Sequence, residues 1–300
     1  MYKRQLLYRL LDGTNPSCRL VFVGDHAQLP SVGPGNVLRE LIQSELFPVV
    51  KLTEIFRQED TSDIVYAAHD IHKGEVPSIT TKGDFALVQT DSDSKAMEVV
   101  CTLANRLFEG NQRATDPEDK VDFQILSPRH AGEVGVTKLN ERLRELLNPQ
   151  APNRTEVRLG NGMMREDDRI MIVKNDYQLD VYNGDVGKIR YVDLKSKQIE
   201  VKIFDSPPRF VHVELAKAKN IIRMAYACTV HKAQGLEYDW IIMPVVDSFH
   251  HQLQRNLLYT AVTRAKKRVV LVGTASALEK AVRNAKEDDR NTLFLDRLKK

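Results

Sequence analysis

The chain has 300 residues, 42% of them hydrophobic and 28% charged, a composition typical of a globular protein with room for two compact domains or one large domain with an insertion. Its formal net charge of +3 permits nucleic-acid contact, and no apolar run approaches the roughly 18 residues of a membrane span, so we expect no membrane partner. Three cysteines without CxxC spacing give no metal framework and predict a reduced, cytoplasmic protein.

Four apolar runs predict buried parallel strands, because residues that are apolar on both faces suit a sheet covered on both sides. These runs are LVFV before Gly24, FQIL before Ser127, WIIMPVV before Asp247 and VVLV before Gly273. Helices are predicted between the runs over 61–73, 94–109 and about 136–147, the first two ending at Gly74 and Gly110. This alternation predicts an open α/β sheet whose ligands lie beyond the carboxyl ends of its strands.

The stretch from about 165 to 215 has a different pattern. Its short β-rich segments are separated by the turn sequences YNGD, DLKSK and DSPP, with no helical period between them. Short strands punctuated by turns predict a small antiparallel barrel. The α/β pattern resumes near residue 221, so the barrel is predicted to be an insertion.

The sequence GDHAQLPSVGPG follows the first predicted strand. It places Asp25 and Gln28 at the strand mouth, where a phosphate or an activated water can be oriented. A tight turn with a solvated Gln28 would explain the Gly-Asp pair alone. The full string resembles the third motif of superfamily 1 helicases, and its QLPSVGPG part resembles the RecD-like branch. The resemblance implies that Gly24 and Asp25 belong to the nucleotide site and that Gln28 senses the ATP γ-phosphate.

The sequence LTEIFRQ resembles the fourth motif of the same family, whose arginine, here Arg57, reaches the terminal phosphates. The planar guanidinium suits bidentate contact with phosphate oxygens. Taken alone, Arg57 would more often be a surface arginine that caps the following helix.

The sequence TVHKAQGLEYD resembles the fifth motif, which in the family meets both DNA and nucleotide. The resemblance implies that single-stranded DNA is faced by Thr229, His231 and Lys232. The residues that it places toward the nucleotide are Gln234, Gly235 and Glu237. A hydroxyl, an imidazole and an ammonium can hold a nucleic-acid backbone without reading its sequence. A lone His231 would more often be a structural histidine.

The sequence LLYTAVTRAKKR resembles the sixth motif, in which Arg264 is the arginine finger that neutralises charge on the transferred phosphoryl group. The basic residues after it fit a solvated face. SPRHAGEVGVTKLNERL resembles a further DNA-facing segment, with Ser127, Pro128 and Arg129 at a strand end.

The barrel stretch resembles the SH3-like insertion of RecD-type enzymes. Tyr177, Tyr182 and Asn183 are possible strand contacts there. Aromatic core packing and an Asn-Gly turn explain these three residues equally well.

Two motifs of the family are absent from the sequence. No GxxxxGK[ST] loop and no Asp-Glu dipeptide occurs, and the Gly-Lys pair at Gly187 lies in the barrel. The resemblance therefore implies a C-terminal portion that begins just after the DExx motif and is inactive as an ATPase by itself. The implied division is residues 1–48 as the end of a first RecA-like domain, 49–160 and 221–300 as the second RecA-like domain, and 161–220 as the inserted SH3-like barrel.

The expected function is that of an ATP-dependent 5′–3′ DNA helicase in repair and recombination. Its cofactors would be ATP and Mg²⁺ in the full-length protein, with no metal site and no tight nucleotide binding in this chain alone. Its partners would be single-stranded DNA, the N-terminal motor domain in cis and possible nuclease-complex subunits. The alternatives are a stand-alone nucleic-acid- or partner-binding module without motor activity, and an RNA helicase of the same superfamily.

Overall fold

The computed structural model describes residues 3–30, 35–52, 62–79, 83–160, 162–285 and 293–299. The strands in these ranges are β1 (Phe85–Gln89), β2 (Phe123–Ser127), β3 (Glu156–Leu159), β4 (Gly162–Arg165), β5 (Arg169–Ile172), β6 (Val186–Asp193), β7 (Gln198–Ile203), β8 (Arg209–Glu214), β9 (Ile222–Met224), β10 (Ala227–Thr229), β11 (Tyr238–Val245) and β12 (Ala265–Gly273). The helices are α1 (Lys3–Asp12), α2 (Val37–Ser44), α3 (Asp63–Lys73), α4 (Asp93–Arg113), α5 (Val136–Leu147), α6 (Leu215–Ile221), α7 (Arg255–Val262), α8 (Ala275–Arg283) and α9 (Phe294–Leu298).

A parallel five-stranded sheet carries the larger hydrophobic core. Its strand order is β1-β12-β11-β2-β10, and every pairing in it is parallel. The apolar runs of the neighbouring strands β11 and β12 are buried because helices pack against the sheet and these runs have no polar face. Three of the four predicted strands, at FQIL, WIIMPVV and VVLV, are therefore confirmed. Strand β1 was not predicted from the sequence.

The fourth run, LVFV, was predicted to be a buried strand, and this prediction is wrong for the described structure. Residues 20–23 have no strand assignment, and Val21 and Val23 are 83% and 92% exposed. An apolar run becomes a buried strand only where neighbouring strands pair with it and helices cover it. Within the described ranges, neither flanks this segment.

The predicted helices are present, with one boundary corrected. Helix α3 ends at Gly74, which adopts a left-handed conformation (φ 86°), as predicted. Helix α5 coincides with its predicted range. Helix α4, however, continues through Gly110 to Arg113 instead of ending there. Asn111 exchanges two hydrogen bonds with the backbone of Val121, at 2.8 and 2.9 Å, and so fixes the additional turn.

An antiparallel five-stranded sheet, with order β8-β7-β6-β5-β9, has its own core, and a β3–β4 hairpin precedes it. Strand β7 alternates exposed and buried residues, with Ile199, Val201 and Ile203 inward, which is the pattern expected of a sheet with one covered face. Strand β9 pairs with β5 here, so the parallel sheet resumes one strand later than predicted, at β10. The domain boundaries themselves stay a prediction.

A buried carboxylate links the two sheets. Asp168, wholly buried just before β5, accepts hydrogen bonds from the Tyr226 hydroxyl at 3.0 Å and from Asn148 Nδ2 at 2.8 Å. Burial raises the pKa of Asp168, and its hydrogen bonds partly oppose that rise. Among the described helices, none combines the length and apolar character needed to cross a bilayer.

Candidate functional site

The carboxyl ends of β2 and β10 lie side by side, with Ser127 and Thr229 in register. Both side chains are buried, as is Pro128. The Ser127 hydroxyl lies 2.9 Å from Val134 O and 3.2 Å from Arg129 O, so it closes the loop that leads to α5. The structure thus brings predicted DNA-facing residues of two motifs together, while the Ser127 hydroxyl bonds to its own loop.

Arg129 is held at this edge by an aromatic ring. Its guanidinium carbon lies 4.9 Å from the centroid of the buried Phe249 ring, and its Nε donates to Ala131 O at 2.7 Å. A cation stacked on a ring has fewer conformations to lose when it meets a ligand. The Arg129 side chain is therefore held in place at this edge by contacts within the chain.

The turn after β10, Val230–Ala233, carries the basic residues of the fifth motif. His231 is exposed, and Lys232 is partly exposed. Lys232 Nζ donates to Asn183 Oδ1 at 3.0 Å, and Asn183 lies in the loop between β5 and β6. The motif at the parallel sheet is thus bonded directly to the antiparallel sheet, a contact that the motif sequences did not reveal.

The β5–β6 loop presents two tyrosines to solvent. Tyr177 is 79% exposed and Tyr182 43%, and their ring centroids lie 6.3 Å apart at an interplanar angle of 71°. Core packing as the explanation of these tyrosines is therefore wrong. The Asn-Gly turn is confirmed, because Gly184 has φ 110° and Asp185 N donates to Tyr182 O at 3.0 Å.

Three of the predicted motifs meet at Leu29. The Leu29 N–H donates to Thr260 Oγ1 at 2.7 Å, and Gln234 Nε2 donates to Leu29 O at 2.8 Å. Leu29 and Thr260 are buried, so both bonds are shielded from water. The third motif is thereby fixed to the fifth motif and to helix α7 of the sixth. Thr260 was not singled out from the sequence, because a threonine within a helix carries no distinguishing signal.

The neighbouring residues of the third motif are more accessible. Gly24 and Asp25 are exposed, and Gln28 is partly buried. The Gln28 amide donates to Asp25 Oδ2 at 3.1 Å, while Asp25 Oδ1 accepts from Ala27 N at 2.9 Å. Asp25 thus orients the Gln28 side chain. The other predicted phosphate sensor, Arg57, lies outside the described residues.

Arg264 is 7% exposed and lies in the turn between α7 and β12. Its Nη1 donates to Leu236 O at 3.2 Å and its Nε to Thr260 O at 3.3 Å. Gly235 is exposed with φ 85°, and Glu237 Oε2 lies 3.9 Å from Lys266 Nζ. Arg264, Gly235 and Glu237, all predicted to face nucleotide, therefore lie at one junction.

A cleft of about 210 Å³ adjoins the third motif. It is lined by cationic and imidazole side chains, among them His26, Arg39, His72 and Arg255. Burial lowers the pKa of His72, and His26, whose ring centroid is 5.8 Å away, lowers it further. The donor set fits an anion such as phosphate. Among the described residues, no group of three His, Cys, Asp or Glu side chains is arranged to hold a metal.

Three protein-family models match successive parts of the chain. The model described as the ATP-dependent RecD-like DNA helicase SH3 domain matches residues 139–203. The UvrD-like helicase C-terminal domain matches residues 224–272, and an AAA domain matches residues 1–92.

Curated relatives match almost the whole chain. The ATP-dependent RecD2 DNA helicase of Deinococcus radiodurans is 33% identical over 294 residues, covering 98% of this chain and 38% of the relative. The RecBCD enzyme subunit RecD of Mycolicibacterium smegmatis is 29% identical over 299 residues, covering 94% of this chain and 50% of the relative. The chain thus spans half or less of the length of these relatives.

A solved structure of the Bacteroides Pif1 helicase in complex with ADP-AlF3 and single-stranded DNA aligns with a TM-score of 0.48 at 20% identity, covering 83% of this chain and 60% of that chain. The larger sheet has the parallel α/β arrangement of a RecA-like helicase domain, and the smaller is SH3-like. Because RecD proteins match 94% or more of this chain and a RecD-like SH3 domain lies in its middle, the chain belongs to the RecD-like family of superfamily 1 DNA helicases.

Proposed function

We propose that this chain supplies the second motor domain and the SH3-like module of an ATP-dependent DNA helicase. The intact protein would couple ATP hydrolysis to 5′–3′ movement along single-stranded DNA and would unwind duplexes during repair and recombination. The polarity and these processes come from the family resemblance. The observation that carries the proposal is the pair of hydrogen bonds on Leu29, which joins three helicase motifs through one residue.

The nucleotide side of the proposal uses residues from four motifs. Gln28 and Arg264 would contact the transferred phosphate, together with Arg57 from the fourth motif. The supporting residues would be Gly24, Asp25, Gln234, Gly235 and Glu237. The bonds from Leu29 to Thr260 and Gln234 support this assignment, because a displacement of Gln28 by the γ-phosphate would be passed directly to the fifth and sixth motifs.

ATP hydrolysis also needs a phosphate-cradling loop and a magnesium-binding carboxylate, which would come from an N-terminal motor domain. The exposed apolar segments at 20–23 and 46–52 support such a partner, since Val23, Val50 and Leu52 are each at least 87% exposed. A surface of this kind marks a contact with another part of a protein. The RecD relatives named as RecBCD subunits support a further proposal, assembly with nuclease-complex subunits.

The DNA side of the proposal follows the carboxyl ends of β2 and β10. Thr229, His231 and Lys232 would contact single-stranded DNA there, beside Ser127, Pro128 and Arg129. Lys232 bonds to Asn183, so this track leads on to the exposed tyrosines of the β5–β6 loop. Cations followed by accessible rings suit a strand held by its backbone and stacked bases.

A comparison of this chain with the intact natural protein tests the proposal. We expect the intact protein to hydrolyse ATP in a DNA-stimulated reaction and to unwind a duplex with a 5′ single-stranded tail. We expect the 300-residue chain to show neither activity. DNA-stimulated ATP hydrolysis by the chain alone would contradict the proposal that another domain supplies the phosphate loop and the magnesium-binding carboxylate. An intact protein whose DNA binding does not respond to nucleotide would favour the binding-module alternative. Unwinding of RNA in preference to DNA would favour the RNA-helicase alternative.

The two exposed tyrosines provide a further prediction. Replacing Tyr177 and Tyr182 together by alanine is expected to weaken binding of this chain to a labelled oligo(dT), because each base–ring stack contributes about 1–3 kcal/mol. Fluorescence anisotropy at several salt concentrations measures the effect. The salt dependence should be retained, since the phosphate-binding cations are unchanged.

Tyr191→Ala is the matched control, because Tyr191 is 57% exposed but lies on β6 outside this loop. We expect the control to bind as the unmodified chain does. Equal affinity of the double variant and the control would remove the tyrosines from the DNA path.

A further inference from the structure

A second cleft, of about 350 Å³, lies between the two sheets and belongs to none of the motifs described above. It opens beside Phe123, the first residue of β2, and Tyr226, just before β10. The motif residues lie at the other ends of these strands, about 13 Å away along β2 at roughly 3.3 Å per residue. Its volume is at the lower end of the roughly 300–1,000 Å³ typical of small-molecule sites.

The walls of this cleft combine aromatic rings with cations. The rings are Phe108, Phe123, Phe204 and Tyr226, and the cations are Arg154, Arg169 and Lys188. The guanidinium carbon of Arg169 lies 5.7 Å from the Phe204 ring centroid, which makes one wall a stacked cation and ring. Such walls favour a flat aromatic ligand over an aliphatic one.

The charge at the rim favours an anion. Arg154 and Lys188 both point to one carboxylate, Asp167, at 3.8 and 2.6 Å, so two cations share a single counter-ion. The side chains of Arg154, Lys188 and Asp167 are all partly exposed, so a ligand anion can reach the two cations without a rearrangement of the backbone. Arg169 is a third cation of the cleft lining and pairs with Asp122, whose Oδ1 lies 3.5 Å from Arg169 Nη2.

Two buried polar atoms in the lining residues lack partners among the described residues. Asn148 is 3% exposed, and its Nδ2 donates to Glu166 O and Asp168 Oδ1, yet its Oδ1 accepts no hydrogen bond. Arg169 Nε likewise donates none. A buried polar atom without a partner costs free energy. Both atoms lie beneath the surface of the cleft wall, so the cleft itself presents its rings and its rim cations to a ligand.

We propose that this cleft binds a nucleoside monophosphate group, its base between the rings and its phosphate at Arg154 and Lys188. The group can be a free nucleotide or a nucleotide within a nucleic-acid strand. Because the cleft contains no motif residue, this proposal does not depend on the helicase assignment.

Trp240 offers a direct readout of binding. It is the one tryptophan of the 300 residues, and it pairs with Phe123 in the β11–β2 register, so both side chains lie on the same face of the sheet. We expect AMP to change Trp240 fluorescence in a saturable manner. Ribose 5-phosphate, which has the phosphate without the base, should bind at least about tenfold more weakly, since it lacks the stacking contribution.

Variants assign the binding to the cleft. Arg154→Gln with Lys188→Gln should weaken AMP binding about tenfold or more, because two charged phosphate contacts are lost. Lys95→Gln with Arg283→Gln, which removes two exposed charges on α4 and α8, is the matched control and should bind normally. Phe204→Ala, at a ring that is 48% exposed, should abolish the preference for AMP over ribose 5-phosphate.

Absence of a saturable response to AMP would overturn the proposal, as would equal binding by the rim variant and its control or by AMP and ribose 5-phosphate. Competition with a short oligodeoxynucleotide then distinguishes the two sources. Displacement of AMP by the oligonucleotide, from the unmodified chain and from the control variant alike, identifies a strand as the ligand. Saturable AMP binding that the oligonucleotide leaves unchanged identifies a free nucleotide.

Discussion

Replacing Arg264 by alanine in the intact protein is expected to lower its DNA-stimulated ATPase rate by about 10³- to 10⁵-fold, the range measured for arginine fingers in other phosphoryl-transfer enzymes. The structure holds this guanidinium in place beforehand. Arg264 is 7% exposed, and its bonds to Thr260 O and Leu236 O join the end of α7 to the fifth motif. Only a positioned cation can neutralise charge that develops in the transition state.

Because Arg264 is buried, the loss of activity has to be separated from loss of folding. Arg264→Lys keeps the charge and most of the volume but not the planar fork, so we expect it to remain folded and to stay at least about 100-fold impaired. Lys267→Ala removes a cation from the same segment. Lys267 is 55% exposed and pairs with Asp239, so we expect this variant to hydrolyse ATP normally. Steady-state ATPase rates, with thermal unfolding in parallel, measure both effects. Near-normal hydrolysis by both Arg264 variants would exclude the finger assignment.

The sequence predicted most of the parallel sheet because its strands are apolar on both faces. FQIL, WIIMPVV and VVLV are each buried as β2, β11 and β12. LVFV has the same pattern and is nevertheless exposed at 20–23. Burial of a strand depends on which elements lie beside it, and a local pattern holds no information about those neighbours. The end of α4 eluded prediction for a similar reason, because the bonds between Asn111 and Val121 override the glycine signal at Gly110.

The motif order identified the candidate site, but not its internal connections. Leu29 meets Thr260 and Gln234 across 231 and 205 residues of sequence, and Lys232 meets Asn183 across 49. Each of these bonds exists only because separate elements fold against one another. The sequence could not decide whether Tyr177 is buried or exposed for the same reason, since a tyrosine between two β segments suits a core as well as a surface.

The largest effect on stability is expected from Gly273→Ala at the end of β12. A Cβ at this position would lie 1.8 Å from Val245 O, and Gly273 has φ 156°, a conformation that other residues rarely adopt. Val245 belongs to β11, which is paired with strands on both sides and cannot move away. We therefore expect a loss of about 3–5 kcal/mol in the free energy of unfolding, measured by urea denaturation.

Gly110→Ala makes the same chemical change at a position where the structure predicts a gain in the free energy of unfolding instead of a loss. Gly110 lies inside α4, and beyond the adjacent backbone of the helix a Cβ added to it would meet no atom within 4 Å. Alanine should therefore stabilise the chain by about 0.5–1 kcal/mol, because it restricts the unfolded backbone and favours helix. A destabilised Gly110 variant would instead indicate a helix that ends at this glycine in a left-handed conformation. If Gly273→Ala were as stable as the unmodified chain, β11 and β12 would have to lie further apart at Val245 and Gly273 than they do here.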